Sequence, residues 1–165
     1  MLAQDKDQQH LTAAHGYIEL GMFLEANEEL ENIDAFCRSL PEVLNARLGI
    51  YYGLKKWEAM AAIANKLVEW NPSEPEYFVQ LAYATRRTES LSAAQVILLR
   101  GEKLHPKEGT IQFNLACYET QLGNIEKAKQ HLKQATTADP QFKMMALEDK
   151  DLEPLWESLS AGPCP

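Results

Sequence analysis

The feature that most constrains the fold of this chain is the regular spacing of three prolines, which stand at positions 72, 106 and 140 and are therefore 34 residues apart. Two further series keep the same interval. One lies twelve positions before each proline and begins one interval earlier: Ala26, Met60, Ala94 and Ala128. The other lies eight positions before: Leu30, Ala64, Leu98 and Leu132. The 34-residue spacing holds from about residue 7 to residue 142 without insertion or deletion, which is typical of a repeat array.

Each interval has the pattern of two helices joined by a turn. In the fourth interval, apolar residues recur with helical spacing at positions 111, 115, 118 and 122, and again at 125, 128, 132 and 135. Gly123-Asn124 separates the two helices, because both residue types tolerate the left-handed backbone that ends a helix. Asp139-Pro140 ends the second helix, because proline cannot continue the hydrogen-bond ladder. Each interval is therefore predicted to be a helical hairpin.

Alanines are predicted where the two helices of a hairpin approach most closely. Ala82 would face Ala94 in the third interval, and Ala116 would face Ala128 in the fourth. A larger side chain at these positions would separate the helices or strain their packing.

The pattern resembles the tetratricopeptide repeat family, whose unit of 34 residues reads aromatic-x2-Leu-Gly-x2-Tyr, then Ala-x3-Phe, then Pro. The third interval fits best, with Phe78, Leu81, Ala82, Ala94, Leu98, Gly101 and Pro106. The fourth supplies Leu115, Ala116, Gly123, Ala128, Leu132, Ala135 and Pro140. The first two intervals are looser. Arg38 replaces the usual proline in the first, and in the second Arg47 takes a normally apolar position and Met60 replaces an alanine.

This resemblance implies an all-α fold, a right-handed α-solenoid of four helical hairpins with C-terminal capping helices. We expect one tetratricopeptide-like domain over residues 1–165, with repeats at about 7–40, 41–74, 75–108 and 109–142. A repeat array leaves its last apolar face open, so a terminal element must close it. Residues 143–160 are predicted to be that cap, as two short helices broken near Asp149–Asp151. Residues 161–165 are predicted to be a frayed tail.

The charge of the chain argues against a nucleic-acid partner. The formal net charge is −8 and the pI is about 5.0, whereas duplex binding needs clustered Lys and Arg. The charge is uneven: residues 1–50 hold nine acids and three bases, and residues 86–143 hold nine bases and six acids. Both solvated helix faces and a charge polarity that orients a partner are compatible with this distribution.

The sequence favours the reducing environment of the cytoplasm. Cys37, Cys117 and Cys164 are widely spaced and have neither a disulfide pattern nor zinc-ligand spacing. The first residues, MLAQDKDQQHL, lack the basic start and apolar core of a signal peptide. The apolar run at 59–64 is far shorter than a membrane span, so no membrane partner is expected.

The sequence predicts no enzyme, metal or cofactor. None of the histidines is tied by a motif to Cys37 or Cys117, and Gly-x-Ser-x-Gly, HExxH and glycine-rich phosphate loops do not occur. Cys117 is interpreted as a small, mildly apolar helix residue. The acids at 148–153 lack the glycine and the final glutamate of a calcium loop, so a solvated turn or a helix cap is favoured there.

The resemblance implies that the first helix of each hairpin lines a concave channel that holds peptides or helices of other proteins. The predicted partner-binding residues at these positions are Tyr52, Val79, Tyr83, Arg86, Arg87, Phe113, Cys117 and Gln121. Aromatic residues and arginine are the types that dominate binding hot spots. An alternative is that some of these side chains only pack against neighbouring helices.

The predicted function is a non-catalytic scaffold or adaptor that binds a protein or peptide partner in the channel. Two alternatives stay open: a chaperone for secreted or assembling proteins, and a structural assembly subunit that self-associates. A homodimer is compatible with each of these functions. An enzyme would need an ordered ligand or a metal in the channel.

Overall fold

The computed structural model describes residues 5–157, which form nine α-helices and one 3₁₀-helix. The α-helices are α1 (Asp5–Glu19), α2 (Phe23–Asn32), α3 (Pro41–Gly53), α4 (Trp57–Trp70), α5 (Pro75–Thr88), α6 (Leu91–Leu104), α7 (Gly109–Gln121), α8 (Ile125–Ala138) and α9 (Gln141–Glu148). The 3₁₀-helix is Lys150–Leu155. The all-α fold class predicted from the sequence is confirmed.

The first of two compact units comprises residues 1–71 and contains α1 to α4. Within it α1 packs on α2 and α3 packs on α4, so the unit consists of two helical hairpins. Its core is built from small and aliphatic side chains: Leu11, Ala14, Ala26, Leu30, Ile33, Val43, Ala46 and Ile50.

The second unit comprises residues 72–165 and contains α5 to α9 and the 3₁₀-helix. The hairpins here are α5 with α6 and α7 with α8, and α7 also packs against α6 and the 3₁₀-helix. Neighbours on several sides bury most of α7, including Gln112 and Glu119. The core of this unit is centred on α7 and extends from Ala82 to Leu155.

Two series of residues that keep the 34-residue interval are buried. The series Ala26, Met60, Ala94 and Ala128 is fully inaccessible to solvent. In the series Leu30, Ala64, Leu98 and Leu132, no side chain is more than 3% exposed. Ala82 and Ala116 are also fully buried. The interval therefore records the positions at which the helices of each hairpin touch.

Three of the four hairpin turns use a left-handed residue. Gly21 has φ 72°, Gly123 has φ 81°, and Lys55, one interval after Gly21, has φ 55°. The turn between α5 and α6 differs, because Glu89 at the equivalent position has φ −127°. That turn instead begins α6 with Ser90, whose hydroxyl accepts a 3.0 Å hydrogen bond from the N–H of Ala93.

Arginine side chains account for two of the three departures of the first unit from the repeat pattern. Arg38 stands where proline is usual, and its Nε donates to the carbonyl oxygen of Ile33 at 2.8 Å, just beyond the end of α2. Arg47, at a normally apolar position, reaches Glu31 at 2.7 Å and Asn27 at 3.3 Å. Its side chain is only 12% exposed, because the aliphatic stem is buried while the guanidinium meets an acid.

Helix α9 and the 3₁₀-helix lie in the region predicted to be the cap. α9 begins at Gln141, directly after Asp139 ends α8 and Pro140 starts the next turn. The break falls at Asp149, as expected, and its carboxylate accepts from the N–H of Asp151 at 2.9 Å. The end of the predicted cap at 158–160 and the predicted tail at 161–165 lie outside the described residues. The assignment of residues 1–165 to one domain stays a prediction.

Candidate partner-binding face

Seven of the eight predicted partner-binding residues lie on α5 and α7 of the second unit. The α7 residues Phe113, Cys117 and Gln121 are four positions apart, so they share one side of that helix. The α5 residues are Val79, Tyr83, Arg86 and Arg87. We call these seven residues the α5–α7 face. Residues 149–155, which we call the docked segment, contact part of it.

Arg86 connects the α5–α7 face to the docked segment. Its Nη1 donates to Oδ2 of Asp151 at 2.7 Å, and each of the two side chains is 31% exposed. Burial lowers the pKa of Arg86, but the hydrogen bond and the charge of Asp151 outweigh burial and leave that pKa above its usual value. Arg86 therefore carries a fixed positive charge that selects an acidic group on this face.

Gln121 contacts the main chain of the same segment. Its Nε2 donates to the carbonyl oxygen of Asp151 at 3.2 Å. Arg86 and Gln121, which lie on different helices, thus bind the side chain and the backbone of one residue. Such a pair of contacts fixes both the position and the direction of a bound polypeptide.

Cys117 lies beneath the docked segment, where solvent reaches only 4% of the residue. Its thiol donates to Oδ2 of Asp149 at 3.7 Å. Burial, followed by the negative charges of Asp149 and Asp151, raises the pKa of Cys117 well above its ordinary value. The thiol is therefore protonated at neutral pH and lacks the thiolate that a nucleophile needs.

Phe113 is covered by the first turn of α9. Its ring stacks on that of Phe142 with centroids 5.3 Å apart and planes 28° apart, and Phe113 is only 7% exposed. Gly109 leaves room for this stack, because a Cβ at that position would lie 2.5 Å from the Phe142 ring. Phe113 thus serves intramolecular packing in this structure.

Tyr83 and Arg87 form the more accessible part of the face. The guanidinium of Arg87 lies 3.5 Å from the centroid of the Tyr83 ring, and its Nη1 donates to the Tyr83 carbonyl oxygen at 3.0 Å. Arg87 is exposed and Tyr83 is half-buried. A cation held over an aromatic ring offers charge and flat apolar surface together. Val79, by contrast, is half-buried and packs against the core.

Tyr52, the eighth predicted residue, belongs to the first unit. It lies on α3, is 50% exposed, and meets Trp57 of α4 edge-to-face with ring centroids 6.1 Å apart. This aromatic pair is a separate feature of the α3–α4 hairpin.

Sequence reasoning missed the contacts that two acids and one tyrosine make with residues of the α5–α7 face. The acids Asp149 and Asp151 were expected in a solvated turn or helix cap, and only the capping contact of Asp149 agrees with that expectation. Tyr118 is buried in the core, in agreement with its apolar helix position, and the unforeseen feature is the Arg86 guanidinium 5.3 Å from its ring centroid. Burial raises the pKa of Tyr118 to about 12. The alternation of acids with leucines at 149–155 was the available signal for a segment that binds a basic, apolar surface.

Two buried polar clusters hold α7 in place beneath this face. The carboxylate of Glu119 accepts from Gln95 at 2.8 Å and from Asn124 at 2.7 Å. The Gln112 side chain meets His131 at 2.7 Å and donates to Glu102 at 3.0 Å. Satisfied buried hydrogen bonds of this kind fix one arrangement of neighbouring helices.

Two general properties concern the described part of the chain. Within residues 5–157, no three His, Cys, Asp or Glu side chains are grouped so that they could hold a metal ion. No helix in that range has the length and apolar character needed to cross a membrane.

Comparison with known proteins agrees with the architecture of the hairpins. Residues 110–142, which span α7 and α8, match the family model described as tetratricopeptide repeat. The fourth hairpin is thus similar in sequence to a tetratricopeptide repeat. The matched segment is the fourth hairpin alone, so the count of four repeats stays a prediction. Proteins built from tetratricopeptide repeats are generally non-catalytic scaffolds.

Solved structures share the fold of this chain. The structure named MamA MSR-1 C2 is 23% identical with a TM-score of 0.66, over 80% of this chain and 76% of that one. TTC0263, a thermophilic tetratricopeptide-repeat protein of Thermus thermophilus, is 20% identical with a TM-score of 0.68, over 93% and 82%. The MamA RS-1 ArsTM double mutant is 15% identical with a TM-score of 0.71, over 95% and 92%. No curated protein matches the sequence.

Proposed function

We propose that this protein is a non-catalytic interaction scaffold that holds a peptide or a helix of a partner protein on its α5–α7 face. The observation that supports this function is that the face already binds a polypeptide, the docked segment of the same chain. Arg86, Cys117 and Gln121 make an ion pair, a thiol contact and a backbone contact to it. A surface that binds one short segment has the features needed to bind another.

The more accessible part of the face extends this surface beyond the docked segment. Tyr83 and Arg87 offer an aromatic ring and a cation, the combination enriched at the centres of protein interfaces. The partner class is therefore proposed to be protein rather than nucleic acid or membrane. The cytoplasm is the proposed compartment, since Cys37 and Cys117 are free thiols.

The test is affinity capture with charge-reversal variants on two sides of the second unit. Arg87→Glu changes the α5–α7 face, and Lys103→Glu is the matched control, an exposed cation near the end of α6. We expect Arg87→Glu to reduce recovery of the captured protein at least about fivefold and Lys103→Glu to leave it unchanged. Far-UV circular dichroism establishes that both variants are folded. Equal capture by both variants, and by Tyr83→Ala, would show that the partner binds elsewhere.

A second candidate function, self-association as an assembly subunit, is favoured by the outer side of α9. Met144, Met145 and Leu147 are 64%, 48% and 37% exposed on this short helix. Exposed apolar residues gathered in one place are typical of protein contacts. If the wild-type protein dimerises, we expect Met144→Lys to lower the average molecular mass measured by sedimentation. Val96→Lys, at an equally exposed site of α6, should leave that average mass unchanged. A wild-type protein that stays monomeric across concentrations contradicts this candidate.

A further inference from the structure

The docked segment has the features of a bound ligand. Six of its seven residues form a 3₁₀-helix with Pro154 inside it, rather than a repeat-length α-helix. Besides the burial of two leucines, its contacts with other elements include an ion pair, a hydrogen bond to a carbonyl oxygen and a thiol contact. On the α5–α7 face these three contacts come from the side chains of Arg86, Gln121 and Cys117.

The chemistry of the segment follows from what each residue contacts. Asp149 accepts a hydrogen bond from Cys117, and Asp151, two residues later in the segment, accepts one from Arg86. Leu152 and Leu155 are 0% and 1% exposed and join the core around α7. The segment thus has the pattern Asp-x-Asp-Leu-x-x-Leu, in which Asp149 accepts from Cys117, Asp151 pairs with Arg86, and two leucines three residues apart are buried.

We propose that the α5–α7 face is a binding surface for acidic, leucine-containing segments of a partner protein, and that residues 149–155 are its intramolecular competitor. This inference rests on the proposed function and specifies the partner: a segment with an acidic residue directly before the first of two leucines. Charge complementarity favours it, because Arg86 and Arg87 both stand in the last turn of α5. The partner replaces the docked segment and takes over the contacts with Arg86 and Gln121.

Competition within one chain predicts that weakening the docked segment strengthens binding of the same segment added from outside. The probe is a fluorescent peptide with the sequence of residues 147–157, LEDKDLEPLWE, and the readout is fluorescence anisotropy with full-length protein. Leu155→Ala weakens the internal competitor and leaves the α5–α7 face intact. We expect this variant to bind the peptide about tenfold more tightly than wild type, because the binding-competent population rises.

Matched variants separate competition from general destabilisation. Leu30→Ala truncates a fully buried leucine of α2, outside the docked segment, and is expected to bind the peptide like wild type. Adding Arg86→Gln to Leu155→Ala is expected to weaken peptide binding about tenfold, because the peptide carboxylate loses its cation. A peptide carrying Asp151→Asn should lose affinity for Leu155→Ala by a similar factor. Should Leu155→Ala fail to fold, Asp151→Asn at its half-exposed site replaces it, with a smaller gain.

Four outcomes would overturn the inference. A folded Leu155→Ala or Asp151→Asn variant that binds the peptide no better than wild type shows that the segment is only a cap. Binding that ignores Arg86→Gln shows that the peptide sits elsewhere. A peptide that acts only by splitting a wild-type dimer shows that the occupant is a second copy of this chain. If capture of the partner protein depends on Arg87 but the peptide does not compete with it, this inference fails and the proposed function stands. If capture does not depend on the α5–α7 face, the proposed function fails, whatever the peptide binds.

Discussion

At Gly101 the chain has no room for a side-chain carbon. A Cβ built there would lie 2.9 Å from Cγ and 3.0 Å from Cβ of Phe78, whose side chain is fully buried. These atoms are the root of the aromatic side chain, so rotation of the ring does not relieve the contact. Gly16, inside α1, has nothing within 4 Å of such a Cβ. Glycine is required for helix packing at the first position and only weakens the helix at the second.

Alanine substitutions at the two glycines are expected to have opposite effects. Gly101→Ala should lower the free energy of unfolding, since overpacking costs about 1–3 kcal/mol and the gain in helix propensity returns at most about 1 kcal/mol. Gly16→Ala should raise it by about 0.5–1 kcal/mol. Urea denaturation followed by circular dichroism measures both. A similar rise in both variants would mean that α5 and α6 lie farther apart at Phe78 than described.

Lys55 holds a backbone conformation that suits glycine, as its equivalents Gly21 and Gly123 do. A residue with a Cβ in the left-handed region costs about 1–2 kcal/mol, which glycine avoids. Glycine in turn costs about 0.5–1 kcal/mol, because it has more conformational freedom in the unfolded chain. Lys55→Gly is therefore expected to raise the free energy of unfolding by about 0.5–1 kcal/mol. Glu89→Gly, at the turn with φ −127°, is expected to lower it. Thermal denaturation of both variants checks the difference, and a loss in Lys55→Gly contradicts it.

At the scale of elements, an ion pair joins α2 to α3. Glu31 of α2 accepts from Arg47 of α3 at 2.7 Å and from Arg38 at 2.9 Å. The hydrogen bond from Arg47 is the main cause that holds the pKa of Glu31 below its ordinary value of 4.5; burial opposes it, and the charges of Arg47 and Arg38 add to it. A carboxyl whose pKa is lower in the folded state stabilises the fold above the unfolded pKa. This contribution disappears as the pH falls through the folded pKa.

Glu31→Gln should therefore reduce stability at pH 7 but not at low pH. Glu31 is 48% exposed, so we expect a small difference from wild type, about 0.2–1 kcal/mol, at neutral pH. The difference should shrink as the pH drops below 4.5, where wild-type Glu31 becomes protonated. Denaturation midpoints measured from pH 7 to pH 3 give the comparison. A difference that is constant over this range would assign the effect to packing rather than to charge.

At the scale of the whole molecule, several cations of residues 86–143, where bases outnumber acids, contact groups of the same chain. Arg86 pairs with Asp151, Lys129 pairs with Glu126, and Arg87 covers the Tyr83 ring. Arg100 lies 5.3 Å from the centroid of the Phe78 ring. With a net charge of −8, the chain as a whole repels polyanions.

We accordingly expect no binding of duplex DNA. A protein that neutralises phosphates shows affinity that rises steeply as salt is lowered. The electrophoretic mobility of a labelled duplex should not change on addition of the protein, even at about 50 mM salt, where phosphate contacts are strong. A salt-dependent shift would indicate that the cations of residues 86–143 leave their partners within the chain to bind phosphate, and the protein-partner proposal would need revision.

The sequence by itself determined the helical hairpins, the turn at Gly123 in the fourth of them and the apolar positions of the repeat. These features are local or periodic: a left-handed turn needs Gly or Asn near residue 123, and a close helix contact needs a residue such as Ala94 or Ala128. The 34-residue interval repeats those requirements along the chain, so they can be read without coordinates. The fold class and the helix boundaries near Pro140 followed from them.

Only the tertiary structure decided how residues far apart in sequence meet. The contact of Arg86 with Asp151 spans 65 residues, and no periodic pattern specifies it. The same holds for Cys117 with Asp149 and for Phe113 with Phe142, where the chain after the last repeat turns back onto α7. Side chains that the sequence assigned to partner binding are thereby in contact with the chain's own C-terminal region. The packing of one surface on another depends on the shape and charge of residues far apart in sequence. These contacts therefore cannot be predicted from local or periodic patterns.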